Sequence, residues 1–327
     1  MLKKQKIKIG NIKLKNNIIF APMAGITDLP VRILAAKGGA GLVCTEMVSA
    51  KGLVHIDAKT KKLLVSNKKE KPVAAQIFGG DAQSMGEAAK IVSDMGFDVI
   101  DVNLGCPVRK IAKAGAGAKL LADKTRTEEI LAAVVNNSGK TPVTAKIRIG
   151  LVPGHNIAPE IIEIAQNCGV KAVAVHARYA SQGHTGEPDI EAFKEACIDA
   201  KIPIFANGGI INEETAERFM SVKGCSGLMI GRGAVGNYNI FDRLAYYFKT
   251  GKKKPEPSVK DKIKWLKEHA KDSVKQYGEK KGLILLRKTI HYYVKDMPNA
   301  AKLRSAFNKI VTVKEFEETL KIITSDE

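Results

Sequence analysis

VAAQIFGGDAQSMGEAAKIVSDMGFDVIDVNLGCP occupies residues 73–107 and contains one complete folding unit. A short run rich in β-formers, Val73–Phe78, stops at Gly79-Gly80. The next stretch, Ser84 to Met95, changes period. Met85, Ala88, Ala89, Val92 and Met95 fall on one helical face, and Gly96 ends it. A second run, Val99–Leu104, then opens onto Gly105-Cys106-Pro107. Strand, helix and strand in this order make a unit of the parallel-sheet kind.

Working outward, the same alternation recurs. Further runs are Ile18–Met23, Leu42–Met47, Val143–Ile147, Ala172–His176, Ile204–Ala206 and Leu228–Ile230, which brings the total to eight. Helical patterns lie between most of them. Thr127 to Val135 closes near Gly139, and Glu213 to Val222 opens on Asn212 as N-cap. Only Val48–Lys71 reads poorly. Eight strand–helix units in about 250 residues are the count for a TIM (β/α)8 barrel. A doubly wound sheet is the competing architecture, but it does not usually need eight similar units. No sequence-level repeat stands out.

The pattern changes at Lys252-Lys253-Lys254-Pro255-Glu256-Pro257, a polar, proline-containing linker. Beyond it the strand signals stop. Ile263, Leu266, Ala270, Val274 and Tyr277 form one helical face ended by Gly278, and Leu283, Leu286, Ile290 and Val294 form a second. Ala300–Ile310 and Val313–Ile323 complete a helical bundle. The division expected is therefore a barrel over 1–251, a linker at 252–257 and a helical domain over 258–327.

The chain of 327 residues has 53 Lys and Arg against 34 Asp and Glu, a net charge of +19. Residues 252–314 hold 18 basic and 6 acidic residues, so +12 sits in that stretch. A codon bias toward lysine would spread the excess evenly. Concentrated charge implies an anionic partner such as nucleic acid or an acidic membrane. No apolar run approaches the roughly 18 residues needed to span a bilayer. Met1 to Ile9 alternates lysine with isoleucine and does not have the form of a secretory signal. The five cysteines are odd in number and form no C-x-x-C pair, so they suggest neither a zinc site nor a disulfide framework. A cytoplasmic, reducing setting without a metal is expected.

In such a barrel the chemistry gathers at the C-terminal ends of the strands. Those ends carry Pro22-Met23-Ala24-Gly25, Gln76, Asn103-Leu104-Gly105-Cys106, Lys146-Ile147-Arg148, His176-Ala177-Arg178, Asn207-Gly208-Gly209 and Gly231-Arg232-Gly233. Glycines after the last two strands let backbone N–H groups approach a phosphate, with Arg232 to add charge. Plain turns would also use glycine, but consecutive placement favours the anion. Lys146 suits the edge of a flavin that turns negative on reduction. Gln76, with donor and acceptor together, suits the uracil-like edge of the same ring; position alone serves equally for a Lys and a Gln that snorkel to solvent. Cys106 lies in a tight loop at the rim. A thiol is mostly protonated at neutral pH, so it can serve as an acid, or as a nucleophile once ionised. Cys44, Cys168, Cys197 and Cys225 sit in apolar patterns and read as packing.

Taken in order, these motifs resemble the tRNA-dihydrouridine synthases. Asn103-Leu104-Gly105-Cys106-Pro107 is the most specific piece, and Leu286-Arg287-Lys288 through Lys302-Leu303-Arg304 looks most like the bacterial B-type subgroup. The likeness runs over nearly the whole chain. One departure is Gly209, where some relatives have Asp. The resemblance implies an FMN-dependent barrel with a helical tRNA-binding domain, NADPH (or NADH) as reductant, and no membrane or evident protein partner. It places Pro22, Met23 and Ala24 against the flavin ring, Gln76 and Lys146 on its polar edge, and His176 beside it. Asn207, Gly208, Gly209, Gly231 and Arg232 would hold the phosphate, and Asn103 and Arg148 would touch the uracil. Cys106 is implied as the general acid, protonating C5 after hydride passes from flavin N5 to C6. Lys288, Lys302 and Arg304 would bind tRNA, with His291, Tyr292 and Tyr293 interleaved and Tyr293 read as core. Two rival readings are a flavin barrel acting on a small molecule, in the manner of dihydroorotate dehydrogenase, and a non-catalytic RNA-binding protein. The first leaves the basic tail without a role, the second the Cys106, Lys146 and glycine set.

Overall fold

Eight parallel strands close on themselves in a computed structural model that describes residues 7–55 and 57–324. The reading of the extreme N-terminus as no secretory signal lies, for residues 1–6, outside the described residues. An antiparallel hairpin, β1 (Lys8–Ile9) and β2 (Ile12–Lys13), comes first. The barrel strands are β3 (Ile18–Phe20), β4 (Leu42–Ser49), β5 (Val73–Phe78), β6 (Val99–Asn103), β7 (Val143–Arg148), β8 (Ala172–His176), β9 (Ile204–Asn207) and β10 (Cys225–Ile230). β10 pairs with both β9 and β3, so the sheet has no edge and the open doubly wound alternative is excluded.

Strand periodicity divides the side chains into two sets. Ile18, Phe20, Val43, Val73, Ala75, Ile77, Ile100 and Val102 pack outward under the helices. Their neighbours Ile19, Leu42, Cys44, Ala74, Val99, Ala172, Ala174, Phe205 and Met229 fill the interior. Both sets are apolar, which is why the strands read as continuous hydrophobic runs. Ile7, Ile9 and Leu14 join the inner set. A Cβ added at Gly10 would come 2.8 Å from Pro142 Cβ, just before β7. The hairpin is thus a floor beneath the strand N-termini, a feature that the hydropathy pattern does not announce.

The poorly legible Val48–Lys71 stretch holds two short helices, Ala50–Val54 and Ala58–Leu63, and a single 3-10 turn at Lys68–Glu70. It is fixed by tertiary contacts more than by periodicity. Arg32 Nε donates to Glu70 Oε2 at 2.6 Å, with both side chains buried, and its other nitrogens donate to the Thr27 and Val65 carbonyls. Removing one partner of a buried pair strands the other's charge, at about 3–5 kcal/mol. Arg32→Met should therefore lower stability by that order in denaturant unfolding, and Glu70→Leu added to it should recover much of the loss. A single variant as stable as the parent would deny the pair this role.

Past the barrel, residues 252–258 have no regular structure but are strapped down. Arg243 pairs with buried Glu213 at 2.8 Å and with Glu256 at 3.1 Å, and Lys253 pairs with Glu214. The remaining helices are Val259–Tyr277, Glu279–Leu286, Ile290–Val294, Ala300–Phe307 and Val313–Thr324. The expected single face from Leu283 to Val294 is broken at 287–289. The Thr289 hydroxyl takes the Leu286 carbonyl at 2.9 Å, a local bond that competes with helix continuation. The bundle packs directly on the barrel. Tyr293 is fully buried, its hydroxyl 3.0 Å from Tyr238 Oη and 2.9 Å from His269 Nδ1. Among the described residues no helix is long and apolar enough to cross a membrane.

Candidate active site

Inward-facing positions turn polar over the upper half of the barrel. Asp101 follows Val99 on the inner face of β6, and Asn103 follows Asp101. Thr144 donates to Asp101 Oδ1 at 2.6 Å, and Gln76 Nε2 donates to Asp101 Oδ2 at 2.7 Å. Burial raises the Asp101 carboxyl above its ordinary range, while those two donors and the Lys146 charge act against the rise. Asp101 is not among the residues expected from the sequence. The period-two spacing 99, 101, 103 is the signal that could have found it.

Gln76 passes the network upward. Its Oε1 accepts from Asn103 Nδ2 at 2.8 Å. Asn103 Oδ1 in turn accepts the backbone N–H groups of Gly105 at 3.2 Å and Cys106 at 3.0 Å. One amide therefore ties a β5 side chain to the loop that carries the thiol. Arg148 fixes the same loop from the other side, donating through Nε to the Gly105 carbonyl at 2.8 Å and through Nη1 to the Tyr179 carbonyl at 3.1 Å. The Cys106 carbonyl accepts from Ala118 N–H at 2.9 Å. A side chain at Gly117 would meet that carbonyl at 2.6 Å, so the loop tolerates only glycine there.

Across the mouth, Lys146 Nζ donates to Asn207 Oδ1 at 3.0 Å, and Asn207 Nδ2 donates to the Met229 carbonyl at 2.7 Å. Burial first, and then Arg148, bring the Lys146 ammonium down to about 8. Burial, followed by the charges of Lys146, Arg148 and Arg178, holds His176 well below the ordinary imidazole range. It is a neutral ring at physiological pH. His184 lies over it with ring centroids 5.7 Å apart and is brought down to about 4 by burial and the same cations. His184 too escapes the sequence expectations, since it lies in a loop eight residues beyond the strand.

Gly208 and Gly209 have φ of +122° and +67°. A Cβ on the first would come 2.9 Å from His176 and on the second 3.0 Å from Pro188. Arg178 Nη1 is 3.3 Å from that Gly208 position, and burial, then the nearby Arg232 charge, lower the Arg178 guanidinium from its ordinary range. Beside Gly231 a Cβ would stand 3.4 Å from Met23 Sδ, which brings the loop after β3 to the end of β10. Two positive-φ glycines, two guanidiniums, an ammonium and a neutral imidazole on one rim fit a phosphate-bearing flavin. Gly208→Ala should cost most of the flavin content of the purified protein, read from its visible absorbance. A fully yellow variant would dismiss the cradle.

A profile of the family described as Dihydrouridine synthase (Dus) matches residues 19–327. The chain belongs to that family. A probable tRNA-dihydrouridine synthase of Rickettsia bellii is 36% identical, over 92% of this chain and 93% of its own length. A tRNA-dihydrouridine synthase B of Pseudomonas putida is 38% identical, over 93% of this chain and 90% of its own. Among solved structures, the old yellow enzyme of Trypanosoma cruzi superposes with TM-score 0.55 at 11% identity, covering 78% of this chain and 94% of its own. That similarity establishes the barrel fold. In this family member the expected rim residues Pro22, Met23, Ala24, Gln76, Asn103, Cys106, Lys146, Arg148, His176, Asn207, Gly208, Gly209, Gly231 and Arg232 lie in the C-terminal halves of the barrel strands or in the loops just after them. Of the tail residues, Lys288 reaches the mouth, its Nζ 3.6 Å from where a Gly25 Cβ would be. Arg304 lies by His291, whose ring is tilted 39° against Tyr292 with centroids 3.7 Å apart, and Lys302 is exposed on the outer helix.

Proposed function

We propose that the protein reduces uridines of tRNA to 5,6-dihydrouridine, with FMN as resident flavin and NADPH as reductant. In this reading residues 1–251 are the catalytic barrel, 252–257 the linker and 258–327 the tRNA-binding helical domain. Free cysteines and a tRNA substrate suit a cytoplasmic setting. The observation that carries the proposal is the Asn103 amide, which links the Gln76 side chain to the backbone of Cys106. A flavin-edge residue and a proton donor are thereby held at a fixed separation.

When bound, FMN would supply hydride to C6 of the uracil. The chain's own residues do the rest. Lys146 is already short of compensating charge, so an anionic ring edge beside it is favoured. Neutral His176 offers a hydrogen bond without adding to the positive field. Gly208, Gly209, Arg178 and Arg232 would hold the phosphate. Cys106 gives its Sγ proton to C5, and Asn103 and Arg148 keep the loop in place while it does so. The base must leave its stack to lie between flavin and thiol, at a cost of a few kcal/mol. Binding of RNA phosphates by the +12 segment offsets that cost.

The test is direct. Flavin-loaded protein, NADPH and unmodified tRNA should give dihydrouridine, detected as uridine that has gained two hydrogens. Flavin reduction with no product on any tRNA of a complete unmodified set would refute the proposal.

A further inference from the structure

A second cavity, of about 680 Å³, opens between the barrel and the helical bundle. Its size lies within the roughly 300–1,000 Å³ of small-ligand pockets. The loop after β3 separates it from the flavin site. Met23 faces Gly231 on one side of that loop, and Gly25 lines the cavity on the other.

The lining has three zones. Apolar walls come from Ile26, Leu63 and Leu285, with the ring of Tyr277, one face of which Lys281 Nζ overlies at 5.7 Å from the centroid. Lys62, Lys281 and Lys288 are exposed cations on the rim. The inner end carries two carboxylates, Asp28 and Glu46. Asp28 accepts the Val31 N–H as helix cap and hydrogen-bonds the Tyr277 hydroxyl. Glu46 accepts the Gly25 N–H through Oε1 only. Among the described residues Oε2 has no hydrogen-bond partner.

We propose that this cavity binds a guanosine of the substrate RNA, a near neighbour of the uridine being reduced, and that Glu46 reads its Watson–Crick edge. The inference rests on the tRNA-dihydrouridine synthase reading above and adds a sequence requirement to it. Ionised carboxylates only accept hydrogen bonds. Guanine alone among the four bases presents two adjacent donors, N1–H and the 2-amino group, on that edge. Adenine and cytosine present one amino group beside an acceptor, and uracil one N–H between two acceptors. An unstacked base held against an aromatic ring and read on its Watson–Crick edge is the usual mode of single-stranded RNA recognition. The three lysines meet the flanking phosphates, which accounts for cations and carboxylates in one cavity.

Glu46→Gln is the informative variant. Glutamine keeps an acceptor oxygen for the Gly25 N–H, so the loop stays held, but one of its terminal atoms is now a donor, so it no longer accepts N1–H and the 2-amino group together and pairs with adenine as readily as with the O6/N1–H edge of guanine. The reduced uridine is first mapped in a tRNA transcript. Each guanosine within a few nucleotides of it is then changed to adenosine and, separately, to inosine, which lacks the 2-amino group. With the parent protein, one position should lose about tenfold or more in kcat/KM on adenosine replacement and a smaller factor on inosine replacement. Glu46→Gln should erase most of the guanosine–adenosine preference and of the response to inosine at that same position, with flavin content and NADPH-driven flavin reduction unchanged. If no neighbouring guanosine responds to inosine with the parent protein, the proposal is wrong. If the variant keeps the parent's full guanosine–adenosine preference or its full response to inosine, it is wrong also. In either case dihydrouridine is still formed, whereas failure of the underlying functional reading would leave no product on any transcript.

Discussion

Cys106→Ala should lower dihydrouridine formation by about two to four orders of magnitude, the usual contribution of a positioned proton donor. The loop should survive the change, because its anchors are backbone groups. The Gly105 and Cys106 N–H groups bind Asn103, the Gly105 carbonyl binds Arg148, and the Cys106 carbonyl binds Ala118. None of these uses the sulfur. Flavin content and NADPH oxidation should accordingly stay near parental values, since reducing the flavin needs no proton from this side chain. Dihydrouridine formation close to the parent rate would show that another group protonates C5.

The second large effect concerns RNA affinity. Lys288→Ala, Lys302→Ala and Arg304→Ala together should weaken tRNA binding at least about tenfold at moderate salt. They should also flatten the log–log salt dependence, by roughly 0.7–0.9 for each phosphate that is no longer neutralised. Substitution is a cleaner probe than deleting residues 258–327. Leu266, Leu283, Leu286, Ile290 and Tyr293 of the bundle are continuous with the barrel's outer core, and deletion would uncover Tyr238 and its neighbours. The competing grip is Arg109, Lys110 and Lys113, exposed on the short helix Arg109–Lys113 that follows the Cys106 loop. Unchanged affinity and slope in the triple variant would move the RNA site there.

Much of this architecture was legible because barrel strands are buried on both faces. Val99, Ile100 and Val102 are all apolar, one inside and two outside, so the run is conspicuous even though its two faces cannot be told apart by hydropathy. Strand ends then located Gln76, Lys146, His176 and Asn207 without any three-dimensional information. What escaped was set by long-range pairing. Glu70 is an ordinary residue in a lysine-rich stretch until Arg32, 38 positions earlier, is placed against it. Asp101 lies hidden within an apolar strand, and His184 becomes interesting only when the chain returns it to His176. The break at 287–289 turned on a hydroxyl choosing a nearby carbonyl, which periodicity does not register.

The hairpin at Lys8–Lys13 has a kinetic consequence. With Ile7, Ile9 and Leu14 capping an interior already filled by Ile19, Leu42, Ala74 and Phe205, the described residues leave the barrel open to a ligand at the strand C-terminal rim. On the proposed function, nicotinamide and uracil would both approach a flavin at that rim from the same side, and the two substrates would take turns. Steady-state rates measured against both substrates should give parallel double-reciprocal lines, and excess reductant should compete with tRNA.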